Sequence, residues 1–438
     1  MKKLNITFCS FPDYSGNAKV LFEYMIKEYG DLFNYNWVFN DQKNYSKLNY
    51  DKANKITIGT QKYFNEIKKT NVFFTTHCNI TGEKPENALY IELWHGISPK
   101  KVGFMINNIS NEDKIWYEHL SSSIDYVIVP SEFWQPIFAS RFYLKINQIL
   151  PIGYPKLDLL KNKNAKENLS LILGENVEKY SKILLYTPTF RNGCGRNDDS
   201  TFGNNILNLK KYNENELIEY LEKNNYLLCI KRHPSEKGNY LESFTNHSRI
   251  KVIDYMLDEK NLDIYDVLDA SDILLTDYSS LGIEYLFLDK PIIYLDTDVK
   301  IYNKNRGILF SNFDFWSCNS NVHCISDLIK LINKYLKENY VNPNFVNQRK
   351  LFFSELENGG TKNICEFFFT NDGMLKDIPI IENSSRKNKL YERDIDCMNL
   401  QIESLERNIE EKEKEIYNIT NSKGWKLLER LRKIFRRY

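Results

Sequence analysis

At 438 residues the chain is longer than one ordinary domain, so two or three separate cores are expected. A net charge of +1 gives no overall electrostatic case for a nucleic acid partner. The aromatic content of 14% is high, but it accompanies an excess of Tyr, Asn, Lys and Ile that reads as coding bias rather than function.

Eight cysteines are scattered along the chain, with no CxxC pair and no His/Cys cluster at metal-ligand spacing. The opening residues, Met1-Lys2-Lys3-Leu4-Asn5-Ile6, run straight into a strand-like segment that ends at Cys9. They lack the apolar region and small-residue cleavage site of a secretory signal. No apolar stretch reaches the roughly 20 residues needed to cross a bilayer. A cytoplasmic, reduced protein is expected.

Short β-branched or aromatic runs alternate with helical patterns. Strands are predicted at 4–9, 35–39, 55–58, 71–75, 90–94 and 126–129. After a break come 183–186, 226–231, 250–252, 273–276 and 291–294. Helix-length segments such as 18–29 and 215–223 separate them, which is the rhythm of βαβ units and parallel sheets. The pattern occurs twice, with a polar seam at 155–174. The predicted fold class is therefore α/β, two Rossmann-like doubly wound domains at 1–160 and 175–371 that face a central cleft. Neither half carries GxGxxG or GxxxxGK[ST], which disfavours a dinucleotide oxidoreductase or a P-loop kinase.

A polar linker is expected at 372–390. Beyond it, Met398, Ile402, Leu405, Ile409, Ile416 and Ile419 follow a 3/4 spacing that predicts a coiled-coil helix over 391–420, with Lys412 the one polar seam position. The bland alternative is a single solvated helix. In 421–438, Trp425, Leu428, Leu431 and Phe435 share a helical face, and Lys and Arg dominate the rest. That pattern fits an interfacial helix on an anionic membrane surface, which would make the protein peripheral at the inner face of the cell membrane. A partner-docking or intramolecular helix is the other reading. The heptads make a homo-oligomer an open expectation.

The residues that carry chemistry stand at predicted strand ends, where open α/β sheets bind ligands. His95 follows the run 88–94 in Trp94-His95-Gly96, and Lys100 and Lys101 lie just beyond it. An imidazole can take a proton from an attacking hydroxyl near neutral pH, and Gly96 permits close backbone approach. Taken alone, such a histidine is more often structural. His233 ends a second strand in Lys231-Arg232-His233-Pro234, a pattern suited to an anion, although a solvated basic cluster has the same form. Thr276-Asp277-Tyr278-Ser279-Ser280 reads as a strand end that turns into a helix. Ser279 and Ser280 can meet a phosphate there; the bland reading is ordinary capping of the helix by Asp277 or Ser279. Glu284, one turn further on, is a candidate acceptor for ribose hydroxyls. Thr187-Pro188-Thr189-Phe190-Arg191 offers Thr189 and Arg191 to the cleft. His77 fits either a core or a cleft, and His119, His247 and His323 lie in polar surroundings.

In this order, the segments LWHGISPKKVG, PSEFWQPIF, ILPIGYPKLDLL, ILLYTPTFR, CIKRHP and DIYDVLDASDILLTDYSSLGIEYLFLDKPIIY resemble the CDP-glycerol glycerophosphotransferase family of teichoic acid and capsule polymer synthesis. YSGNAKVLFEYM and NGGTKNICEFF fit its flanking pattern, so the resemblance runs from about residue 10 to 370. It implies a GT-B-like fold, with an acceptor-side first domain and a second domain that binds the CDP donor. It implies that an acceptor hydroxyl attacks the β-phosphorus of a CDP-alditol and releases CMP. By the same resemblance His95 is the candidate base, His233 meets the phosphate, and Ser279 and Ser280 hold the pyrophosphate. No cofactor is implied, the CDP-alditol being a substrate. The acceptor would be a glycan or polyol phosphate, lipid-linked or free.

Three positions depart from the family pattern. Ile97-Ser98-Pro99 stands where Thr-Pro commonly follows the glycine, Glu284 stands where Asp is common, and Glu357-Asn358 precedes Gly359-Gly360 in place of a clear Asp-Gly. A GT-B glycosyltransferase that uses a nucleotide sugar, and a non-catalytic scaffold of a glycan-assembly complex, are the competing readings.

Overall fold

The computed structural model describes residues 3–77, 84–85, 87–161, 163–189, 207–232, 247–260, 262–310, 312–354 and 356–378, with 414 and 417 alone beyond them. The first sheet contains β1 (Leu4–Cys9), β2 (Phe33–Phe39), β3 (Asn54–Thr57), β4 (Val72–Thr75), β5 (Leu89–Glu92), β6 (Tyr126–Ile128) and β7 (Ile149–Leu150). Their spatial order is β3-β2-β1-β4-β5-β6-β7, and every pairing is parallel. The second sheet contains β8 (Lys182–Thr187), β9 (Tyr226–Ile230), β10 (Ile250–Val252), β11 (Ile273–Thr276), β12 (Ile292–Leu295) and β13 (Asn321–Val322). It too is wholly parallel, in the order β10-β9-β8-β11-β12-β13.

Such sheets are covered on both faces, so their strands are near-continuous apolar runs. Every residue of β4, β5, β9, β11 and β12 is buried. The two-residue strands β7 and β13 are too short to give a periodic signal, and the sequence pattern missed both. In each sheet the strand order reverses at one place, between β1 and β4 and between β8 and β11. Such switch points are where open parallel sheets bind ligands, at the C-terminal strand ends.

The first core packs Phe8 against Trp37 at 5.7 Å and against Phe74 at 5.4 Å. The same core contains Ile364, Cys365, Phe368 and Phe369 from the helix Thr361–Phe368 and the residue after it. The chain thus returns to the first sheet, although the sequence pattern groups this segment with the second domain. The return is tight. A Cβ on Gly153 would lie 2.7 Å from the Gly359 carbonyl oxygen, and Tyr154 N–H donates to that oxygen at 2.6 Å. Asp158 accepts from Gly359 N–H at 2.7 Å and from the Thr361 hydroxyl.

Further contacts fasten the two sheets' domains together. Lys100 forms an antiparallel bridge with Ile308, and Leu309 N–H donates to the Pro99 carbonyl at 2.7 Å. Ser131 Oγ and Trp134 Nε1 each donate at 3.0 Å to the carbonyls of Leu351 and Phe352. Residues 110–122 fall in a second compact unit, and all but the first of them lie in the helix Asn111–Ser123. The linker, coiled-coil and basic-helix expectations fall almost wholly outside the described residues. Among the described residues no helix is long and apolar enough to cross a membrane.

Candidate active site

His95 stands just beyond the end of β5. The preceding residue, Trp94, takes a left-handed φ of 53°, an uncommon conformation for a bulky side chain that needs external support. Glu92, fully buried, accepts from Trp94 N–H at 2.8 Å and from the Thr75 hydroxyl at 2.5 Å. Asn17, buried near the start of helix Gly16–Tyr29, donates through Nδ2 to the carbonyls of Leu93 at 2.9 Å and Trp94 at 2.8 Å. On this support the His95 ring packs against those of Trp94 and His77 while the residue keeps solvent access.

The His95 ring stacks on His77 with centroids 4.0 Å apart and planes 10° from parallel. His77 follows β4, at the switch point of the first sheet. His95 Nδ1 lies 3.2 Å from the Thr76 carbonyl oxygen. A carbonyl can only accept, so Nδ1 carries the proton and Nε2 is the basic nitrogen. Burial, then His77, then Lys156 and Arg141 push the His95 pKa well below the usual imidazole range; the Thr76 contact opposes them. Burial and Lys156 bring His77 down to about 4. His95 is therefore neutral near pH 7, the form that accepts a proton.

In the second domain, Ser279 caps the helix Ser280–Tyr285 by accepting from Leu281 N–H at 3.3 Å. Gly96 abuts Ser280, and a Cβ on the glycine would stand 2.8 Å from Ser280 Oγ. The histidine turn and the serine turn, far apart in sequence, therefore meet. At the second sheet's switch point, Thr189 N–H donates to both carboxylate oxygens of Asp277, at 2.9 and 3.0 Å. Asp277 is buried, and through this contact it fixes the course of the loop after β8.

Other expected site residues are placed differently. Glu284 is not a surface acceptor for ribose. It is fully buried, and its carboxylate is taken by Lys156 Nζ at 2.8 Å, by the Tyr154 hydroxyl at 3.3 Å and by the Tyr265 hydroxyl. Arg232 is tied to Asp254, with Nε 2.5 Å from Oδ2, and Lys231 Nζ donates to the Arg232 carbonyl at 2.8 Å. Lys100 lies in the bridge between the domains. His233 and Arg191 lie outside the described residues. Among the described residues, no group of three His, Cys, Asp or Glu is arranged to hold a metal ion.

Sequence reasoning missed Asn17, Glu92 and Lys156, and it left His77 undecided. Lys156 sits inside GYPK beside a glycine turn, which was the available signal. Glu92 is a single carboxylate in an otherwise apolar strand, a position that demands a partner.

Comparison with known proteins bears out the family resemblance read from the sequence. The profile of the family described as CDP-glycerol:poly(glycerophosphate) glycerophosphotransferase matches residues 1–369. A teichoic acid glycerol-phosphate primase of Bacillus subtilis is 29% identical over 312 residues, covering 68% of this chain and 75% of its own length. A teichoic acid poly(glycerol phosphate) polymerase of Bacillus spizizenii is 29% identical over 325 residues, covering 70% and 78%. The solved structure of the wall teichoic acid polymerase TagF superimposes with a TM-score of 0.65 at 24% identity, over 83% of this chain and 87% of that one. That likeness establishes the expected GT-B-like α/β architecture. With the profile spanning both sheets and the site between them, the chain belongs to the CDP-glycerol:poly(glycerophosphate) glycerophosphotransferase family.

Proposed function

We propose that the chain transfers glycerol phosphate from CDP-glycerol to a hydroxyl of a teichoic-acid-like acceptor, with release of CMP. The observation that carries this reading is that the turn bearing His95 meets the Ser279–Ser280 turn of the opposite domain, with Gly96 against Ser280. The acceptor oxygen attacks the β-phosphorus while its proton passes to His95 Nε2. The bond from that phosphorus to the bridging oxygen breaks, and CMP leaves with the electron pair.

Ser279, Ser280 and the Thr189 loop are assigned to the pyrophosphate. Lys100 and Lys231 are assigned to supply positive potential to the developing charge, while the Arg232 charge is met by Asp254. On the sequence pattern alone, Arg191 keeps its assignment to the cleft and His233 its assignment to the phosphate. The basic segment 421–438 is assigned to an anionic membrane surface at the cytoplasmic face, where a lipid-linked acceptor would lie, and the heptads at 391–420 to self-association.

Incubation of the full chain with CDP-glycerol and an acceptor should release CMP and add a glycerol phosphate mass to the product. UDP release from a nucleotide sugar, with no CMP from CDP-glycerol, overturns the reading. Deletion of 420–438 should abolish flotation with anionic liposomes, and unchanged flotation removes the membrane assignment.

A further inference from the structure

Lys156 and Glu284 belong to different domains, and both are buried. Lys156 sits in the Tyr154-Pro155-Lys156 turn that follows β7, and Glu284 in the helix that starts at Ser280. Lys156 Nζ lies 2.8 Å from Glu284 Oε1 and donates to the His95 carbonyl oxygen at 2.7 Å. Its backbone N–H donates to Asn17 Oδ1 at 2.9 Å, and Asn17 holds the two carbonyls just before His95. The ammonium also rests 5.1 Å from the Tyr154 ring centroid and 4.8 Å from that of Tyr265; both hydroxyls serve Glu284.

A buried ammonium is costly unless its donors are matched, and here a carboxylate, a carbonyl and two aromatic faces surround it. The carboxylate is equally committed. Burial pushes the Glu284 carboxyl up, and Lys156 and the two phenols pull it back. Buried ion pairs add little to stability compared with apolar packing, so their retention calls for another role.

We propose that Lys156 and Glu284 are a positioning pair that locks the His95 turn to the Ser279–Ser280 helix, setting the base and the phosphate-binding hydroxyls in one frame. This rests on the assignment of His95 as the base. The pair acts in two ways. Its geometry joins two turns on opposite domains through a single ammonium group. Its cation, with His77 and Arg141, faces His95 and favours the neutral imidazole.

The test uses the full chain with CDP-glycerol and acceptor, and separately the 15N titration of the His95 ring, assigned with His95→Ala. Lys156→Met should lower kcat by about tenfold or more while the donor KM changes by less than about threefold. It should also move the acid limb of kcat/KM and the His95 titration upward by about half a unit or more. Lys156→Arg keeps the cation and should restore most of kcat and the original titration. If Lys156→Met does not fold, Lys156→Met/Glu284→Gln removes both charges and carries the same expectations.

A kcat within about twofold of the parent overturns the proposal. So does a loss of kcat with an unmoved His95 titration, since a purely structural latch predicts that. A parent chain that releases no CMP refutes the proposed reaction instead, and the ring titration, which needs no substrate, still reports on the pair.

Discussion

Gly96 and Ser280 approach so closely that a side chain on the glycine would collide with the serine, its Cβ 2.8 Å from Oγ and 3.0 Å from Cβ. The contact joins the turn that carries His95, the proposed base, to the helix that begins at Ser280, and a side chain at position 96 would have to displace the serine.

Gly96→Ala should therefore cost about 1–3 kcal/mol, the usual range for overpacking a tight contact. Ser280→Gly in the same chain should return most of that stability by removing Oγ and Cβ together. Activity should stay low in the double variant, because the hydroxyl is gone. Urea midpoints of the two singles and the double check this. Additive losses would show that the two residues are not coupled.

Lys156→Met alone strands a buried carboxylate, and removal of one partner of such a pair costs about 3–5 kcal/mol. Replacing both residues, as Lys156→Met/Glu284→Leu, should recover most of that loss because no buried charge remains. CMP release should not recover. Denaturation curves paired with turnover separate the stability of the pair from its use in placing His95; parallel recovery of both would merge them.

Much of the fold was legible because parallel strands buried on both faces write themselves as apolar runs. Leu4–Cys9, Ile250–Val252 and Ile273–Thr276 match their predicted limits. The position of His95 just beyond a strand end was legible because the apolar run before it stops at a glycine turn. Glu284 was misread because helical spacing from Ser280 gives a turn and a face but not what covers that face. Leu281, Ile283 and Tyr285 are buried beside it, and the partner that neutralises it, Lys156, lies in the other domain. The return of Thr361–Phe368 to the first core was equally hidden. Its apolar face is explicit in the sequence, but nothing local says which sheet it covers.

Asn17 is the next test of how the His95 turn is built. Its amide group donates to two carbonyls and its oxygen accepts from Lys156 N–H. Asn17→Asp keeps the shape but sets a carboxylate oxygen against the Leu93 and Trp94 carbonyls. The lost hydrogen bonds and the buried charge should cost more than Asn17→Ala, itself expected to cost about 1–3 kcal/mol. Thermal melts of the two variants rank them, and an Asp variant as stable as the parent would contradict the assigned amide orientation.

The stacked histidines give the molecule an acid sensitivity of definite sign. In the unfolded chain both rings protonate near the ordinary value of about 6.5. In the folded chain His95 resists protonation far below that, and His77 takes its proton only at about 4. Below about pH 6.5 the unfolded state therefore binds more protons, and stability is lost as pH falls toward the folded values; above that range the histidines contribute no pH dependence. His77 alone should supply a slope of about 1.4 kcal/mol per pH unit between about 6 and 4.5. His77→Asn should remove that share and also shrink the part due to His95, because His77 is one of the groups that hold the His95 ring neutral. Catalysis should persist into the same window, because His95 remains neutral and able to accept a proton after an ordinary imidazole would be charged. Urea midpoints and kcat/KM measured across the range check both statements, and a parent stability curve flat below about pH 6 would refute the depressed values.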